Sequence, residues 1–551
     1  MDYKSTESSD APACNRRSMI GYFSSFLAGS LIFPFAKPAM GRSLPPGKET
    51  VYPVFNVMKF GATGKQEDNA TASFRAAIKA CVGNGGGKVM VPPGEYTVGT
   101  LELKDNVNLH IMAGATLFLS QSRQDFQRGS RAMIYAENAK NISVTGKGTL
   151  DGLAQYVYTE MEGVDPEIAQ EIAIAREAGE DMRRYYRKPS AMNTYMFILN
   201  DCQNVTLQDV RIINSPLWNV RLNDCDRVHV SGVYIHSSLE KGVNADGIDI
   251  CSCSNVMISD SLIVTGDDAI ILKSISRNGK SANPCRNITV TNCVLESSST
   301  ALGIGTETEA DISHVLFNNC VIRNSNKGIG INVQDGAIVS DVIFSNLTME
   351  LNRRHWNWWG SAETCRFILR KRTPNARLGA IKNILVDNII AHPRGTSTII
   401  GHPEQPLENI TLRNVQLKMR PEDAKDKRAT DALQIEHVRN LKIQNLTVDW
   451  TVQQTEKKWR SALVLKNISQ LKIDSFSGRQ GLMSGNAPVI DLENVNDAIV
   501  RNSDVPEGAH AFLHVSGEKS QEIVLRNNYL KKADQVITYE NRDLQKSVDL
   551  K

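Results

Sequence analysis

Asn204-Val205-Thr206-Leu207 is one copy of the short unit that decides the fold, a polar residue followed by alternating β-branched and other residues. The unit recurs as Arg227-Val228-His229-Val230 and Asn255-Val256-Met257-Ile258. Further copies run from Asn141 to Ile473, mostly about 23 to 32 residues apart. Period-2 alternation within each unit is typical of a β-strand, and most units have no helical pattern between them. A repeat of this length therefore predicts a solenoid of strands.

The length of the chain, 551 residues, is too great for one ordinary hydrophobic core. Each copy of the unit is too small to fold alone, so the copies must stack and share one interior. The predicted fold is all-β, a single-stranded right-handed parallel β-helix with an N-terminal capping helix. Asn at the strand edges suits this fold, because stacked amides hydrogen-bond along the axis and tolerate left-handed turns. A β-propeller is the alternative, but its blades need about 40 to 50 residues.

Two segments have helical patterning. The stretch from Asn69 to Val82 is predicted to cover the open edge of the first coil and to end at Gly83. A second helix is predicted from Asp165 to about Tyr186, with Asp165 as N-cap and Pro166 in the first position. It lies in a surface insertion over about residues 155–190. The buried face of the first helix is expected to consist of Thr71, Phe74, Ala77, Ile78 and Cys81.

The first 45 residues are predicted to be an export signal and linker, followed by the β-helix domain over residues 46–551. Arg16-Arg17 precedes an apolar stretch from Met19 to about Phe35, which resembles a twin-arginine signal. An N-terminal anchor helix is the alternative. We therefore expect a secreted or periplasmic protein that has no membrane contact after signal removal. The net charge of +3 provides no large basic field, which argues against a nucleic-acid partner.

The cysteines show no CxxC spacing, so the usual zinc pattern is missing. Several of them follow an Asn or Asp at the same place in the repeat, and a small apolar side chain at one position per coil predicts a buried ladder of thiols. A disulfide or a metal site is the alternative. The recurring cysteines are Cys202, Cys225, Cys293 and Cys320.

Two acidic clusters, Asn244 to Asp249 and Gly266 to Lys273, lie in otherwise apolar runs. Buried carboxylates are costly unless they are paired or used, and residues one coil apart stack at about 4.8 Å. Asp246, Asp267 and Asp268 are therefore expected to share one cleft, where two carboxyl groups could hydrolyse a glycosidic bond as acid and base. A gap of about 6.5 to 9.5 Å between them would give inversion. The alternative is that they are turn residues, but directing two consecutive aspartates into one cleft needs a bulge or a bend.

Three motifs in this order, Asn214 to Trp218, Asn244 to Asp249 and Gly266 to Ser274, resemble the polygalacturonases, the pectin-degrading enzymes of glycoside hydrolase family 28. The resemblance implies inverting hydrolysis of galacturonic acid linkages without a metal or another cofactor. It also implies that Asp267 is the general acid, that Asp246 and Asp268 activate the attacking water, and that Asn244 is a supporting polar residue. The partner would be an acidic polysaccharide or oligosaccharide.

The chain departs from the family pattern at two motifs. Ser299-Thr300-Ala301 stands where the family has Gly-His-Gly, and Gly330-Ile331-Asn332 stands where it has Arg-Ile-Lys. The histidine and both cations that contact the substrate are therefore missing. Lys273 is the nearest cation in the matched motifs, and it either faces a substrate carboxylate or points outward. Glu307 and Glu309 are expected to be solvated residues at the coil edge rather than further acids.

The stretch from Arg353 to Glu363 offers a replacement, because it holds three tryptophans beside two arginines. Aromatic rings stack on sugar faces and arginine binds carboxylates in a bidentate manner, so Arg354 and Trp359 are candidate substrate-binding residues. A packed tryptophan cluster on the surface is the alternative.

The sequence thus predicts an exo-acting hydrolase of galacturonic-acid-containing pectic or rhamnogalacturonan oligosaccharides. Exo action is inferred because the insertion and the tryptophan-rich loop could each block one end of a groove. One alternative is a polysaccharide lyase that holds Ca²⁺ on the aspartates and uses an Arg or Lys base. Another is a carbohydrate-binding β-helix without catalytic activity.

Overall fold

The computed structural model describes residues 53–126, 131–160, 169–180, 185–188, 192–353 and 360–550, without the side chains of Gln170 and Glu171. The predicted export signal and linker, residues 1–45, lie outside these ranges. So do two of the candidate substrate-binding residues, Arg354 and Trp359. Within the described ranges, no helix has both the length and the apolar character that crossing a membrane requires.

The N-terminal coils contain nine strands, which are short and mostly alternate between buried and partly exposed residues. They are β1 (Val54–Asn56), β2 (Gly87–Val91), β3 (Gly94–Val98), β4 (Leu101–Glu102), β5 (Val107–Ile111), β6 (Ala115–Leu119), β7 (Ala132–Glu137), β8 (Lys140–Gly146) and β9 (Thr149–Asp151).

The central part of the described chain contains the insertion and the coils that follow it. Its strands are β10 (Tyr158–Glu160), β11 (Tyr185–Arg187), β12 (Tyr195–Asn200), β13 (Gln203–Gln208), β14 (Arg211–Ile213), β15 (Val220–Asn223), β16 (Asp226–Ser231), β17 (Tyr234–His236), β18 (Ile248–Cys251), β19 (Ser254–Ser259), β20 (Leu262–Thr265), β21 (Ile270–Ser274), β22 (Cys285–Thr291), β23 (Val294–Ser297), β24 (Thr300–Thr308), β25 (Ile312–Asn318), β26 (Val321–Ser325) and β27 (Lys327–Val333).

The C-terminal coils have longer strands that run around the corners of the coil. They are β28 (Ile338–Leu351), β29 (Glu363–Leu369), β30 (Ala380–His392), β31 (Ser397–Ile400), β32 (Leu407–Met419), β33 (Leu433–Trp450), β34 (Leu463–Asp474), β35 (Ser477–Gly478), β36 (Pro488–Arg501), β37 (Ala509–Ser516), β38 (Gln521–Arg526), β39 (Ala533–Tyr539) and β40 (Val548–Leu550).

These strands form three parallel faces, which we name sheets A, B and C in the order in which each coil visits them. Sheet A begins β1, β2, β5, β8 and β13. Sheet B begins β3, β6, β9, β14 and β17. Sheet C begins β4, β7, β12, β15 and β18 and continues through β21, β24, β27, β29 and β31. The predicted parallel β-helix is confirmed.

The helix α1 (Thr71–Gly83) packs on β1 and β2 at the N-terminal end of the coils. The side chain of Asn69 accepts a hydrogen bond from the Thr71 N–H at 3.0 Å, which satisfies one of the free donors of the first turn. Because α1 covers the first coil, the predicted capping helix is confirmed. Its predicted face is buried at Thr71, Phe74, Ala77, Ile78 and Cys81. Short 3₁₀ turns occupy Val57–Phe60, Arg123–Asp125, Ala154–Tyr156 and Arg542–Ser547.

The insertion differs from the helix predicted for it. The described helix α2 covers only Ala169–Glu177, and Gly179 ends it with a left-handed φ of 79°. Tyr185 and Tyr186, expected to be helical, lie instead in β11, which pairs antiparallel with β10. Tyrosine favours strands, and this pairing to a distant segment overrides the local helical pattern. Asp165 and Pro166 lie outside the described residues.

Asparagine ladders run along the outside of the coils, as the sequence predicts. Asn409 has a φ of 57°, donates from its amide to Asn383 at 2.8 Å and accepts from Asn440 at 2.7 Å. Asn383 and Asn440 also have positive φ. Asn thus serves twice at this position, because it tolerates the left-handed turn and its amide joins neighbouring coils.

The predicted thiol ladder is present, in two rows rather than one. The strand registers stack Cys202, Cys225, Cys253 and Cys285 at the corner before sheet A, and Cys293 with Cys320 at the next corner. All nine cysteines in the described ranges are free and buried. Burial is the leading cause that raises the pKa of Cys253, which keeps this thiol protonated.

The corner between sheets B and C carries the longest connections. Residues 152–194, 237–247, 352–362, 420–432 and 451–462 join B strands to C strands there, whereas residues 266–269, 298–299 and 393–396 turn within a few residues. The short turns therefore form the floor of a trough, which the longer connections flank.

Replacing Asn409 by Ala should lower the free energy of unfolding by about 2 kcal/mol, since it removes two ladder hydrogen bonds and puts a residue that tolerates the left-handed region less well than Asn at this position. Asn409→Gly removes the same bonds without that strain, so its midpoint in urea denaturation should lie between those of the wild type and the Ala variant. Equal losses in the two variants would show that backbone strain contributes nothing.

Candidate active site

Asp246, Asp267 and Asp268 lie on the floor of the trough, each just before a strand of sheet C. The register pairs Ile248 with Ile270, and the Gly247 N–H donates to the Asp268 carbonyl oxygen at 2.8 Å. Parallel strands pair at about 4.8 Å, so the two turns stack directly. The three predicted catalytic residues are therefore brought together, with one carboxylate oxygen from each within 4.8 Å of the others.

The glycines of both motifs allow this close stacking. A Cβ on Gly247 would lie 2.3 Å from the Ala269 carbonyl oxygen, and one on Gly266 would lie 2.3 Å from the Ser238 carbonyl oxygen. No side chain fits at such distances from backbone atoms. Glycine next to the aspartates thus reflects packing between adjacent coils.

A bend, rather than a bulge, directs the two consecutive aspartates into the trough. Residues 266 and 267 form the bend before β21, and the hydroxyls of Thr265 and Ser297 donate to the Asp267 carbonyl oxygen at 2.8 and 2.7 Å. The side chain of Asp267 accepts from the Asp268 N–H at 2.9 Å, and that of Asp268 accepts from the Thr300 N–H at 2.9 Å. One of the two expected devices is therefore present at the motif.

The environment of the acids favours their protonated forms. Asp246 and Asp267 are almost fully buried, and Oδ1 of Asp246 has no hydrogen-bond partner. Burial, followed by the charges of neighbouring aspartates, raises the pKa of both Asp246 and Asp267 well above the usual range. The group can therefore retain protons at a pH where an exposed aspartate is ionised, as a general acid requires.

Lys273 is held by protein carboxylates rather than pointing outward. Its ammonium lies 3.0 Å from Glu307 and 3.7 Å from Asp249, and 4.6 Å from the centre of the Trp218 ring. Burial opposes its charge, but Asp249 and Glu307 outweigh this and raise the pKa of Lys273. Burial also raises the pKa of Asp249 to about 8. Lys273 thus sits beside the trough as an already paired cation.

The two glutamates considered as further acids have different surroundings. Glu307 pairs with Lys273, so it is not simply solvated as expected. Glu309 accepts a hydrogen bond from the Ser276 N–H at 3.0 Å, which ties it to a neighbouring turn.

The hairpin of β10 and β11 packs against the acids. Arg187 donates to the side chain of Asn244 at 3.1 Å and to the Val243 carbonyl oxygen at 2.9 Å. Burial, reinforced by the charge of Asp246, raises the pKa of Tyr158. The sequence predicted neither Tyr158 nor Arg187, since only the pairing of the hairpin reveals their position. The predicted supporting residue Asn244 is thus hydrogen-bonded to the hairpin of β10 and β11, which forms the near wall of the trough.

A buried asparagine, Asn219, supports the turn of Asp246 from the preceding coil. Its amide donates to the Asp246 carbonyl oxygen at 2.8 Å and to the Ser237 hydroxyl at 3.1 Å. Asn219 directly follows the matched stretch that ends at Trp218. This position next to the motif is the sequence signal that could have identified it as a residue of the site.

The far wall of the trough includes residues 352–353, 360–362 and 420–432. Arg353 pairs with Asp426 at 2.7 Å and with Glu422 at 3.2 Å, which joins the bases of the two connections. From the same wall, the Lys425 ammonium donates to the Gly179 carbonyl oxygen at 2.7 Å. Gly179 follows α2 in the insertion, so the two walls of the trough touch each other.

The two connections joined by this contact belong to coils that are far apart along the axis. In sheet C, eight steps of register lead from the coil after the insertion to the coil after the 420–432 connection, about 38 Å at the usual strand spacing. The steps run from Phe197 through Val220, Ile248, Ile270, Leu302, Ile329, Cys365 and Ser397 to Leu433. The insertion and the 420–432 connection therefore together bridge this length of the trough.

The three aspartates are also the only group of three close metal-ligating side chains in the described part of the chain. Ca²⁺ takes about six to eight oxygen ligands, so water or substrate would have to supply several of them. The positive charge of Lys273 acts on the same carboxylates and opposes a second cation. The ligand set alone thus fits Ca²⁺ poorly.

Asp267→Asn should raise the melting temperature at pH 7 but not at pH 4. The folded pKa of Asp267 is raised, so the folded state holds a proton that the unfolded state has lost above about pH 4. The wild type therefore loses stability as pH rises through this window, while the neutral Asn does not. Calorimetry at both pH values measures the difference.

The control for this prediction is Asp534→Asn, which changes an exposed aspartate in a C-terminal coil. We expect it to leave the melting temperature nearly unchanged at both pH values. A destabilised Asp267→Asn protein at pH 7 would contradict the assignment of Asp267 as a buried acid with a raised pKa.

Comparisons with known proteins agree with the fold and the matched motifs. The family model described as Glycosyl hydrolases family 28 matches residues 81–353, about half of the chain. An exo-poly-alpha-D-galacturonosidase of Dickeya chrysanthemi is 26% identical over 302 residues, 48% of this chain and 49% of that relative. The chain thus spans about half the length of this curated relative.

Two solved structures share the fold. The hyperthermoactive exopolygalacturonase of Thermotoga maritima is 22% identical with a TM-score of 0.58, over 72% of this chain and 92% of that one. The family 28 exopolygalacturonase of Yersinia enterocolitica is 19% identical with a TM-score of 0.56, over 76% of this chain and 78% of that one. The family model and its matched motifs identify residues 81–353 of this chain as belonging to the polygalacturonase-like glycosyl hydrolases of family 28.

Proposed function

We propose that this protein is an exo-acting, inverting glycoside hydrolase that cleaves galacturonic-acid-containing pectic or rhamnogalacturonan oligosaccharides. The observation that carries the proposal is the meeting of Asp246, Asp267 and Asp268, with their oxygens within 4.8 Å, on the floor of one trough. Membership of family 28 supports the same chemistry.

In this proposal Asp267 is the general acid. Burial and the neighbouring aspartates raise its pKa, so it keeps the proton that the leaving glycosidic oxygen needs. Thr265 and Ser297 hold its backbone through two hydroxyl hydrogen bonds. The acid is thus both protonated and fixed in position before substrate binds.

Asp246 and Asp268 would together hold and deprotonate the attacking water. Oδ1 of Asp246 is buried without a partner, so it is available to accept a hydrogen bond from that water. Asp268 has one oxygen fixed by the Thr300 N–H. Removal of a water proton by one of these carboxylates leaves hydroxide character on the oxygen that attacks the anomeric carbon.

The spacing of the acids does not itself predict inversion. The sequence-based expectation used a gap of about 6.5 to 9.5 Å, whereas the three carboxylates have oxygens within 4.8 Å of one another. Inversion is therefore proposed from the family likeness alone. It requires the water to approach from the face opposite the leaving oxygen, beside the acids rather than between two separated carboxylates.

Exo action is supported by the walls of the trough. The contact of Lys425 with Gly179 joins the two walls and limits how a long polymer could lie across the acids. A chain end could still enter, and cleavage would then release short products from that end. The relatives from Dickeya, Thermotoga and Yersinia also carry names of exo-acting enzymes.

The place of action is part of the proposal. The export signal predicted within residues 1–45 would direct the folded enzyme to the periplasm or outside the cell, where pectic polysaccharide is available. Removal of the signal would leave a β-helix domain with no membrane contact.

Incubation with pectic, rhamnogalacturonan and neutral glycans tests the function directly. We expect the wild type to release monomer or dimer from polygalacturonate without a ladder of intermediate oligomers. Asp267→Asn should lower kcat by about 10³-fold or more, because protonation of the leaving group is lost. Asp534→Asn should retain wild-type rates.

The products discriminate between the alternatives. Proton NMR of early products from an α-linked substrate should show the β-anomer; the α-anomer would exclude inversion. Unsaturated products that absorb ultraviolet light, and that do not form when a chelator is present, would indicate the lyase. Binding of a glycan with no turnover in the wild type would indicate a carbohydrate-binding protein.

A further inference from the structure

This chain lacks cations at the positions where the family motifs have them, but it has cations at the stacked positions of the following coils. Thr300 stands at the missing histidine and pairs in register with Lys327 on the next coil. Gly330 stands at the missing arginine and pairs in register with Arg366. Each cation therefore lies about 4.8 Å further along the axis, in the same column as the residue it would replace.

Lys327 lies in the column of the acids. The register leads from Asp268 to Thr300, where the Ala269 N–H donates to the Thr300 carbonyl oxygen, and from Thr300 to Lys327. The charges that act on its ammonium include those of Asp268, Asp267 and Glu363. A lysine side chain is long enough to reach back over the small Thr300 towards the acids.

The ammonium of Lys327 is free for a ligand. The side chain is partly buried, and the described part of the chain gives its ammonium neither a hydrogen bond nor an ion pair. Lys273 differs in this respect, because Glu307 already pairs with it at 3.0 Å. A desolvated cation without a partner is costly, and an anionic ligand would remove that cost.

Arg366 lies near this position, in strand β29 of sheet C, which pairs with the strand of Lys327. Its guanidinium lies 3.7 Å from Glu363, and its side chain is 38% exposed. The residue before it in its column, Gly330, has no side chain, whereas Ile271 and Thr300 pack over Gly303 one step further back. Ligand atoms could therefore lie over Gly330, between Arg366 and Lys327.

We propose that Lys327 and Arg366 form the receptor for the carboxylate of a uronic acid unit bound next to the acids. This inference rests on the proposed function, since it names the group that the same site selects. Arg366 can bind a carboxylate through two parallel N–H donors, and Lys327 adds a point charge from the side of the acids. Glu363 positions Arg366 and is not itself a ligand.

The receptor explains how an acidic sugar is selected without the family's cation motif. A methyl-esterified unit has the same shape at the ring but carries no charge, so it would leave Lys327 desolvated and unpaired. Discrimination between the free acid and its methyl ester is therefore the property that the two cations determine.

Calorimetric titration with digalacturonate and with its methyl ester tests this proposal. All variants carry Asp267→Asn, which prevents turnover, so the titration measures binding affinity alone. The affinity can therefore be measured whether or not the wild type hydrolyses the ligand. In that background Lys327→Gln and Arg366→Gln should each weaken binding of the free acid by about 10-fold or more, with little effect on the ester. Lys327→Arg should retain most of the affinity.

The matched controls are Lys472→Gln and Arg526→Gln, which change exposed residues on sheet A. They should leave both affinities unchanged, and melting curves would confirm that every variant is folded. The proposal is overturned if Lys327→Gln binds the free acid as tightly as its parent, or loses the acid and the ester equally. Failure of the wild type to hydrolyse any glycan would instead overturn the proposed function.

Discussion

The structure depends on the hydrogen-bonded register between successive parallel coils. Each sheet places residue on residue at about 4.8 Å, so any side chain that recurs at one position of the repeat forms a column along the axis. The asparagine ladders, the thiol rows and the acids are all such columns. Because register is cooperative over whole strands, the position of one turn determines the positions of its neighbours. The site is therefore a property of stacked coils rather than of one loop.

The columns also explain how three carboxylates are tolerated together. Asp246 and Asp268 follow one another in one column, and Asp249 lies on the strand that Asp246 precedes. Lys273 comes from the next coil and is held between Asp249 and Glu307. Burial raises the pKa of the acids, while a cation from a neighbouring coil limits their repulsion. The charge balance is thus achieved between coils, each of which contributes only one or two groups.

Sequence alone predicted the features that depend on local pattern. The repeat, the cap helix, the left-handed asparagines and the meeting of Asp246 with Asp267 and Asp268 follow from spacing and motif. The hairpin of β10 and β11 was not predicted, because its strands pair across a long insertion whose local pattern is helical. Lys327 was missed for another reason. Coils differ in length, so the residue stacked on Thr300 can be identified only from the register of the folded strands.

The thiol rows limit the redox conditions under which each chain can fold correctly. Stacked cysteines on adjacent coils have Cα separations within the range that a disulfide can bridge, about 4.4 to 6.8 Å. In the closed coil no oxidant reaches them, because every described cysteine is buried. In a partly folded chain the same thiols are exposed, and oxidation would then link coils before their register is established. Such a chain must therefore complete its stacking under reducing conditions, after which its interior is indifferent to the redox state outside.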